Sequence, residues 1–208
     1  PQGAEKMALI LLAYRALTAA GYRAIGMDHF ALPEDELSRA QERRALWRNF
    51  QGYTVKAAGD VVALGVTGIS DVQGSFSQTV RPLGRYAEAL AAGRFATERG
   101  LRLSPDDLRR RALITQLMCN FWVDLRAAGA DGVSDEEYFA AELARLGPME
   151  ADGLLRISGG QLEVTQLGRL FVRNIAMVFD AHLPILAARP TIAGPGRRGG
   201  APTYSRTV

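Results

Sequence analysis

The stretch Ile25–Leu37, IGMDHFALPEDEL, decides how this chain is to be read. An apolar run enters it, Asp28 and His29 follow, and Pro33 opens an acidic turn. The chain has only 2 histidines, so an imidazole at the end of an apparently buried strand needs a reason. The pair is either a structural cap or a set of polar groups presented at the mouth of a pocket. Upstream, Ala4–Ala20 sets Met7, Ile10, Leu11, Tyr14 and Leu17 at helical spacing, with Gly21 as the C-cap. A helix that passes through a tight Gly turn into the strand YRAIGMDHF is an α/β signature. Downstream, Pro33-Glu-Asp-Glu predicts a short helix with acids in its first turn, running to about Arg44.

The next segments extend the same reading. LWRNFQGYTV has the pattern of a strand with aromatic residues and Gly52 inside it. DVVALGVTGIS is a continuous apolar run, as found in parallel or doubly covered sheets, and Gly65 and Gly68 within it mark bulges, ligand approach or tight helix packing. From Pro82 the pattern turns helical: Leu83–Ala92 is one helix, ended by Gly93. Ser104-Pro-Asp-Asp is a strong N-cap for a helix through LRRRALITQLMCNFWVDL. Ser134-Asp-Glu-Glu repeats the capping box before Tyr138–Leu146. GLLRISGGQLEVT is a β-hairpin with a Gly-Gly turn, and Thr165 caps a last helix, QLGRLFVRNIAMVFDAHL. Helices followed by a small hairpin and another helix resemble a winged-helix arrangement. The division is an α/β part over residues 1–95, a helical domain over 100–190, and a Gly/Pro/Arg-rich flexible tail over 191–208.

Composition narrows the function classes. With 48% hydrophobic and 23% charged residues and a mean hydropathy of -0.03, the chain buries a real core. No apolar run is long enough for a membrane span. The opening PQGAEKMALILLAY has no basic leader and no initiator Met, which predicts a fragment of something longer. The single cysteine, Cys119, excludes an internal disulfide, fits a reducing cytoplasm, and excludes a zinc or iron–sulfur site built on this chain's cysteines alone. Lys6 and Lys56 are the only lysines among 25 basic residues. That arginine bias suits bidentate pairing with carboxylates or phosphates, and equally fits a genome that uses Arg as its default cation.

Few residues carry chemistry. Asp28 beside His29 is able to orient a proton or bind a polar ligand, or to serve as a satisfied strand end. His182, near a helix C-terminus, is structural. Arg48 and Gln51 offer donors while Phe50 and Tyr53 offer flat faces, which suits a nucleoside or a carboxylated ring, or an exposed edge strand. Cys119 lies among Leu117, Met118 and Phe121 and is expected to be buried and inert. Arg109-Arg110-Arg111 suggests a nucleic-acid surface, but Asp106, Asp107 and Asp124 nearby favour an internally paired face. No Ser-His-Asp arrangement, phosphate-binding loop or metal-ligand spacing is present. The residues alone give a ligand-binding α/β piece without a catalytic engine.

The motifs GYRAIGMDHFALPEDEL, WRNFQGYT, ALGVTGIS, LMCNF and VTQLGRLFVRNIAMVFD, in this order, resemble the C-terminal half of the oxygen-independent coproporphyrinogen III oxidases. The resemblance runs from about Ala4 to Leu183, and the final YSRTV also matches that family's ending. Related radical enzymes and haem chaperones differ where IGMDHF stands. The resemblance implies an α/β chain: the end of an incomplete TIM-like barrel followed by a mainly α-helical, winged-helix-like C-terminal domain. It implies a cytoplasmic radical S-adenosylmethionine enzyme of haem biosynthesis that decarboxylates two propionates of coproporphyrinogen III, giving protoporphyrinogen IX. It further implies a [4Fe-4S] cluster held by cysteines of the missing N-terminal half, and an electron donor for that cluster. No metal is assigned to this chain, and neither nucleic acid nor membrane is a partner.

Carried over residue by residue, the family's second S-adenosylmethionine falls on Phe50, Gln51 and Ile69. Asp28 and His29 are expected to line the same cavity, and Arg48 to meet a substrate propionate. One departure is visible: Phe76–Thr79 reads Phe-Ser-Gln-Thr where the family pattern has Tyr-Ala-Gln-Asn, which leaves Thr79 without an amide. As cut, the chain is expected to be inactive. Two other readings remain open: a haem- or porphyrin-binding paralogue without oxidase activity, and a winged-helix nucleic-acid binder, the latter disfavoured because Leu170, Val172, Ile175 and Met177 face a core.

Overall fold

The computed structural model describes residues 3–57 and 59–183. Helix α1 (Ala4–Ala19) ends where Gly21 takes a φ of 90°. None of its side chains is buried. Leu9, Ile10 and Leu12 are exposed, and Tyr14 meets Phe30 edge to face at 6.1 Å. The chain then forms an antiparallel ribbon of β1 (Arg23–Gly26) and β2 (His29–Ala31). The single strand expected across Tyr22–Phe30 is therefore a hairpin: Met27, at φ 51°, reverses the chain and puts Asp28 on the turn. Helix α2 (Glu36–Glu42) starts later than expected, because the Asp35 carboxylate, past Pro33, caps it by accepting from the Leu37 N–H at 2.8 Å.

The stretch LWRNFQGYTV is also a hairpin, β3 (Trp47–Arg48) against β4 (Tyr53–Thr54), not one strand. Asn49 Oδ1 closes its turn by accepting from the N–H groups of Gln51 and Gly52. The continuous parallel-type strand expected over Asp60–Ser70 is absent. Thr67 at φ 59° and Gly65 at φ 97° break the extended backbone, and Val62 and Leu64 are 71% and 89% exposed. Val61 makes a single antiparallel bridge to Asp71, and the end of the run pairs as β5 (Ile69–Val72) in a three-stranded antiparallel sheet with β6 (Ser75–Thr79) and β7 (Thr97–Arg102). Helix α3 (Leu83–Ala91) connects β6 to β7 and shares a small core of Val80, Ala89 and Ala96. β7 lies past residue 95 and pairs back onto β6. Every ladder among the described residues is antiparallel. Among the described residues the architecture is a mixture of helices and small antiparallel sheets, with no parallel strand pair.

Helix α4 (Pro105–Asn120) begins where the sequence places it. Ser104 and Asp107 form a reciprocal capping box with Pro105 in the first turn. The helix does not run on to Leu125. Phe121 takes a left-handed φ of 57°, and β8 (Trp122–Asp124) leaves to pair with a later strand. Ser134 opens α5 (Asp135–Tyr138), followed by α6 (Ala140–Arg145) and α7 (Gly147–Ala151), so the expected helix is broken into short pieces. The hairpin of β9 (Leu155–Ser158) and β10 (Gln161–Val164) turns at Gly159-Gly160, as expected, and β8 adds to its far side. Thr165 Oγ1 accepts from the Gly168 N–H, and a 3-10 turn leads into α8 (Val172–Met177). The tail expected over 191–208 lies outside the described residues, as does the end of the 100–190 domain.

The main core joins α4, the β8–β10–β9 sheet and α8 through Leu117, Phe121, Phe139, Leu146, Leu162, Ile175 and Phe179. Each such side chain contributes roughly 1.5–3 kcal/mol by leaving water. The packing is close enough that Gly168 has no room for a side chain: an added Cβ falls 1.8 Å from the Leu154 carbonyl oxygen. Gly168→Ala is therefore expected to destabilise by about 3 kcal/mol or more in chemical denaturation, whereas Gly147→Ala, which meets nothing within 4 Å, stays near the parent. Equal effects of the two substitutions refute this packing.

Asp107 supplies a pH-dependent tie. Its carboxylate accepts from the Ser104 hydroxyl and N–H, and lies 2.6 Å from His182 Nε2. These contacts, led by the Ser104 hydroxyl, hold its pKa down at about 2 from an ordinary 3.8. The native state thus binds this proton less readily than the unfolded chain. Its contribution is complete above the ordinary value and is lost as pH falls from about 4 to about 2. Thermal unfolding of Asp107→Asn is expected to show a shallower loss of stability across that window than the parent chain.

Candidate functional site

The two hairpins bring the sequence-predicted residues together unevenly. The His29 ring lies 5.0 Å from the Tyr53 ring, edge to face, and an added Cβ at Gly52 would meet His29 Nε2 at 3.2 Å. His29 Nδ1 is 2.9 Å from Asp28 Oδ1, whose side chain is 85% exposed. Asp28 therefore holds the imidazole from the solvent side and is not at a buried strand end. Arg48 reaches the same cluster: its guanidinium lies 5.2 Å from the Tyr53 ring and donates to Met27 Sδ. Arg48 has no ion-pair partner among the described residues.

Tyr53 is the pin of this cluster. Its hydroxyl donates to the Met118 carbonyl on α4 at 3.0 Å, and burial raises its pKa. A Cβ at Gly26 would fall 2.3 Å from that hydroxyl, so glycine at this position is what lets the ring through.

An open cleft of about 290 Å³ lies beside it, with Arg48, Phe50, Asp71, Phe76, Arg111 and Met118 in its wall. Phe50 is 57% exposed and meets Phe76 edge to face at 5.5 Å. Arg111 makes a two-point ion pair with Asp71 and lies 5.1 Å from the Phe76 ring. From sequence Arg111 stands out only within the arginine triplet, Phe76 only as a departure from the family pattern, and Asp71 not at all. Arg111 and Asp71 are 40 positions apart, and no local pattern joins them. The structure does not bring every predicted residue here. Gln51 is exposed at the β3–β4 turn, Ile69 pairs with Gln78 across β5 and β6, and neither lines this cleft; nor does His29. Thr79 Oγ1 donates to the Gly65 carbonyl at 2.6 Å and so secures the loop before β5.

The arginine triplet is internally paired, as expected, though mostly with other partners. Arg109 binds Asp131 and Asp135, Arg110 binds Asp106 and Glu142, and Arg111 binds Asp71. His182 is likewise structural, bound to Asp107.

An iron–sulfur cluster does not fit the residues present. No group of three or more His, Cys, Asp or Glu side chains that could hold a metal occurs among the described residues. Cys119 is fully buried beside Ile25, Ala31, Ala40 and Leu46, and burial pushes its thiol up to about 12. An adenosine-like ligand fits better: Phe50 offers an open aromatic face, Arg48 an uncompensated cation, and the Gln51 amide no hydrogen bond within the described residues. Thiol labelling at pH 8 is expected to reach Cys119 only after denaturant is added. Labelling of the native chain at the unfolded rate contradicts its burial.

The HemN C-terminal domain model matches residues 103–171. The chain is 44% identical over 185 residues to the oxygen-independent coproporphyrinogen III oxidase of Thermostichus vulcanus, covering 88% of this chain and 57% of that protein. The oxidase of Pseudomonas aeruginosa is 43% identical over 187 residues, covering 89% and 41%. A solved structure described as coproporphyrinogen III oxidase (HemN) from Escherichia coli, a radical SAM enzyme, superposes with a TM-score of 0.80 at 37% identity, over 88% of this chain and 42% of that one. The chain spans about half the length of the curated relatives it matches. The motif order, the fold and these matches agree: the chain carries a HemN C-terminal domain over residues 103–171 and is similar, along 88% of its length, to the C-terminal portion of the oxygen-independent coproporphyrinogen III oxidases.

Proposed function

We propose that this chain serves, within a longer protein, the oxidative decarboxylation of two propionate side chains of coproporphyrinogen III to vinyl groups. The observation that carries the reading is the match along 88% of the chain to the Escherichia coli enzyme at a TM-score of 0.80. S-adenosylmethionine at a [4Fe-4S] cluster supplies the radical chemistry in such an enzyme; the cluster's ligands belong outside this chain, whose one thiol is buried.

In this proposal Phe50 stacks on the base of a second S-adenosylmethionine, Gln51 reads it through its amide, and Ile69 gives an apolar wall. The exposure of the Phe50 ring supports that role. Arg48 meets a substrate propionate, which its uncompensated charge favours. Asp28 and His29, which stand beside Tyr53 and outside the wall of the Phe50 cleft, are proposed to border the wider reaction space of the whole enzyme, with Asp28 fixing the ring. The α4–β8–α5–α6–α7–β9–β10 order supports a winged-helix-like C-terminal domain, and the β1–β7 region is proposed to adjoin the end of the TIM-like barrel. That domain excludes water from the reaction space. An external electron donor serves the cluster, the compartment is the cytoplasm, and neither nucleic acid nor a membrane takes part; the paired state of Arg109, Arg110 and Arg111 supports the former. No described helix is long and apolar enough to cross a membrane. The relatives are named as oxidases, so the porphyrin-binding paralogue is not favoured.

The test is anaerobic turnover of coproporphyrinogen III by the complete protein. Failure to form protoporphyrinogen IX with an intact cluster refutes the reading. His29→Ala is expected to lower turnover on the order of a hundredfold, the scale of a lost positioning contact, while the cluster's absorption is unchanged; parent-like turnover removes His29 from the site.

A further inference from the structure

A second open cleft, of about 460 Å³, lies on the other side of the C-terminal end of α4, between α1, β1, α2, β8 and β10. Its wall is built from arginine and aromatic side chains. The Arg23 charge is consumed by Glu42, with which it forms an ion pair. Two further guanidinium groups are not consumed. Arg44 lies 4.0 Å from the centre of the Trp122 ring, and Arg169 lies 4.5 Å from that of Phe121. Neither donates a hydrogen bond to any acceptor among the described residues, and Arg169 Nε is buried without a partner.

An unsatisfied buried donor on a charged group is costly unless an acceptor arrives. A guanidinium laid against an aromatic face keeps its N–H groups in one plane, the geometry that matches a carboxylate at two points. Glu163 on β10, exposed and acting electrostatically on Arg169, is the one carboxylate in the wall not engaged by Arg23. The unpaired groups therefore balance to one positive charge, which suits a singly charged anion. Tyr14 and Tyr22 complete an aromatic wall for an apolar body.

We propose that this cleft binds a small organic carboxylate with a flat, ring-bearing body, its carboxylate held by Arg44 and Arg169 and its ring against the aromatic wall. The volume falls in the range of small-molecule sites. The site is distinct from the cleft of Arg48 and Phe50, which lies against Ile114, Thr115 and Met118 of α4, and it does not depend on the oxidase reading.

Calorimetric titration of the complete protein with sodium benzoate, at constant ionic strength, tests the proposal without any turnover. Saturable binding is expected, with a change in indole emission that Trp122→Phe removes. Arg44→Gln and Arg169→Gln are each expected to weaken binding roughly ten- to hundredfold, as loss of a charged hydrogen bond does. Arg44 bears on no buried group, so Arg44→Gln remains informative if Arg169→Gln unfolds. Absence of saturable benzoate binding overturns the proposal, as does equal binding of inorganic phosphate or retention of affinity in Arg44→Gln.

Discussion

The structure depends on how the C-terminal end of α4 satisfies its backbone carbonyls. The last turn of any helix leaves such groups without intrahelical partners. Here Phe121, in a left-handed conformation, returns its N–H to the Leu117 carbonyl. The Met118 carbonyl accepts from the Tyr53 hydroxyl, and the Cys119 carbonyl from Gln41 Nε2. The Asn120 side chain adds a further tie to the same region: it accepts from the Leu46 N–H and donates to the Leu46 carbonyl. Apart from the Phe121 N–H, each partner comes from the first part of the chain: Tyr53, Gln41 and Leu46. The helix end that the C-terminal core needs is thus the same surface on which the N-terminal hairpins are mounted.

This arrangement explains why the two clefts lie where they do. One opens against Ile114, Thr115 and Met118 of α4, and the other against Asn120, Phe121 and Trp122, where the chain leaves the helix. The Arg111–Asp71 pair fixes the three-stranded sheet to the helix flank, while Arg109 and Arg110 tie the helix to the segment around α5 and α6. Partly buried pairs of this kind contribute little net energy, but removal of one partner strands the other. Their consequence here is placement: the Arg111–Asp71 pair holds β5, and with it the Phe76 ring paired to Asp71, against α4.

Much of the C-terminal half was legible in the sequence because its signals are local. Ser104 with Asp107, Ser134, Gly159-Gly160 and Thr165 each act within a few residues of themselves, through caps and turns that work in any context. The N-terminal part misled for a physical reason. Alternation and apolar runs at Ile25–Phe30 and Val61–Ile69 are equally compatible with strands of a parallel sheet and with short hairpins or loops. The signals that decide, φ 51° at Met27 and φ 59° at Thr67, belong to residues that rarely adopt such angles. The site followed the same division. Arg48 and Phe50 stood out as exposed chemistry in one loop, whereas Arg111, Asp71 and Phe76 join it from three other elements.

By itself the sequence determined the capped start of α4, the Gly-Gly hairpin, an inert cysteine among apolar neighbours, and an ordered set of motifs that carries the family resemblance. Tertiary structure alone decided that α4 stops at Asn120, that Asp28 lies on a turn, and which guanidinium groups are paired. The reason is that caps and turns are fixed by interactions within a few residues. A helix end, a ribbon or a free charge is fixed by whichever distant group arrives to satisfy it.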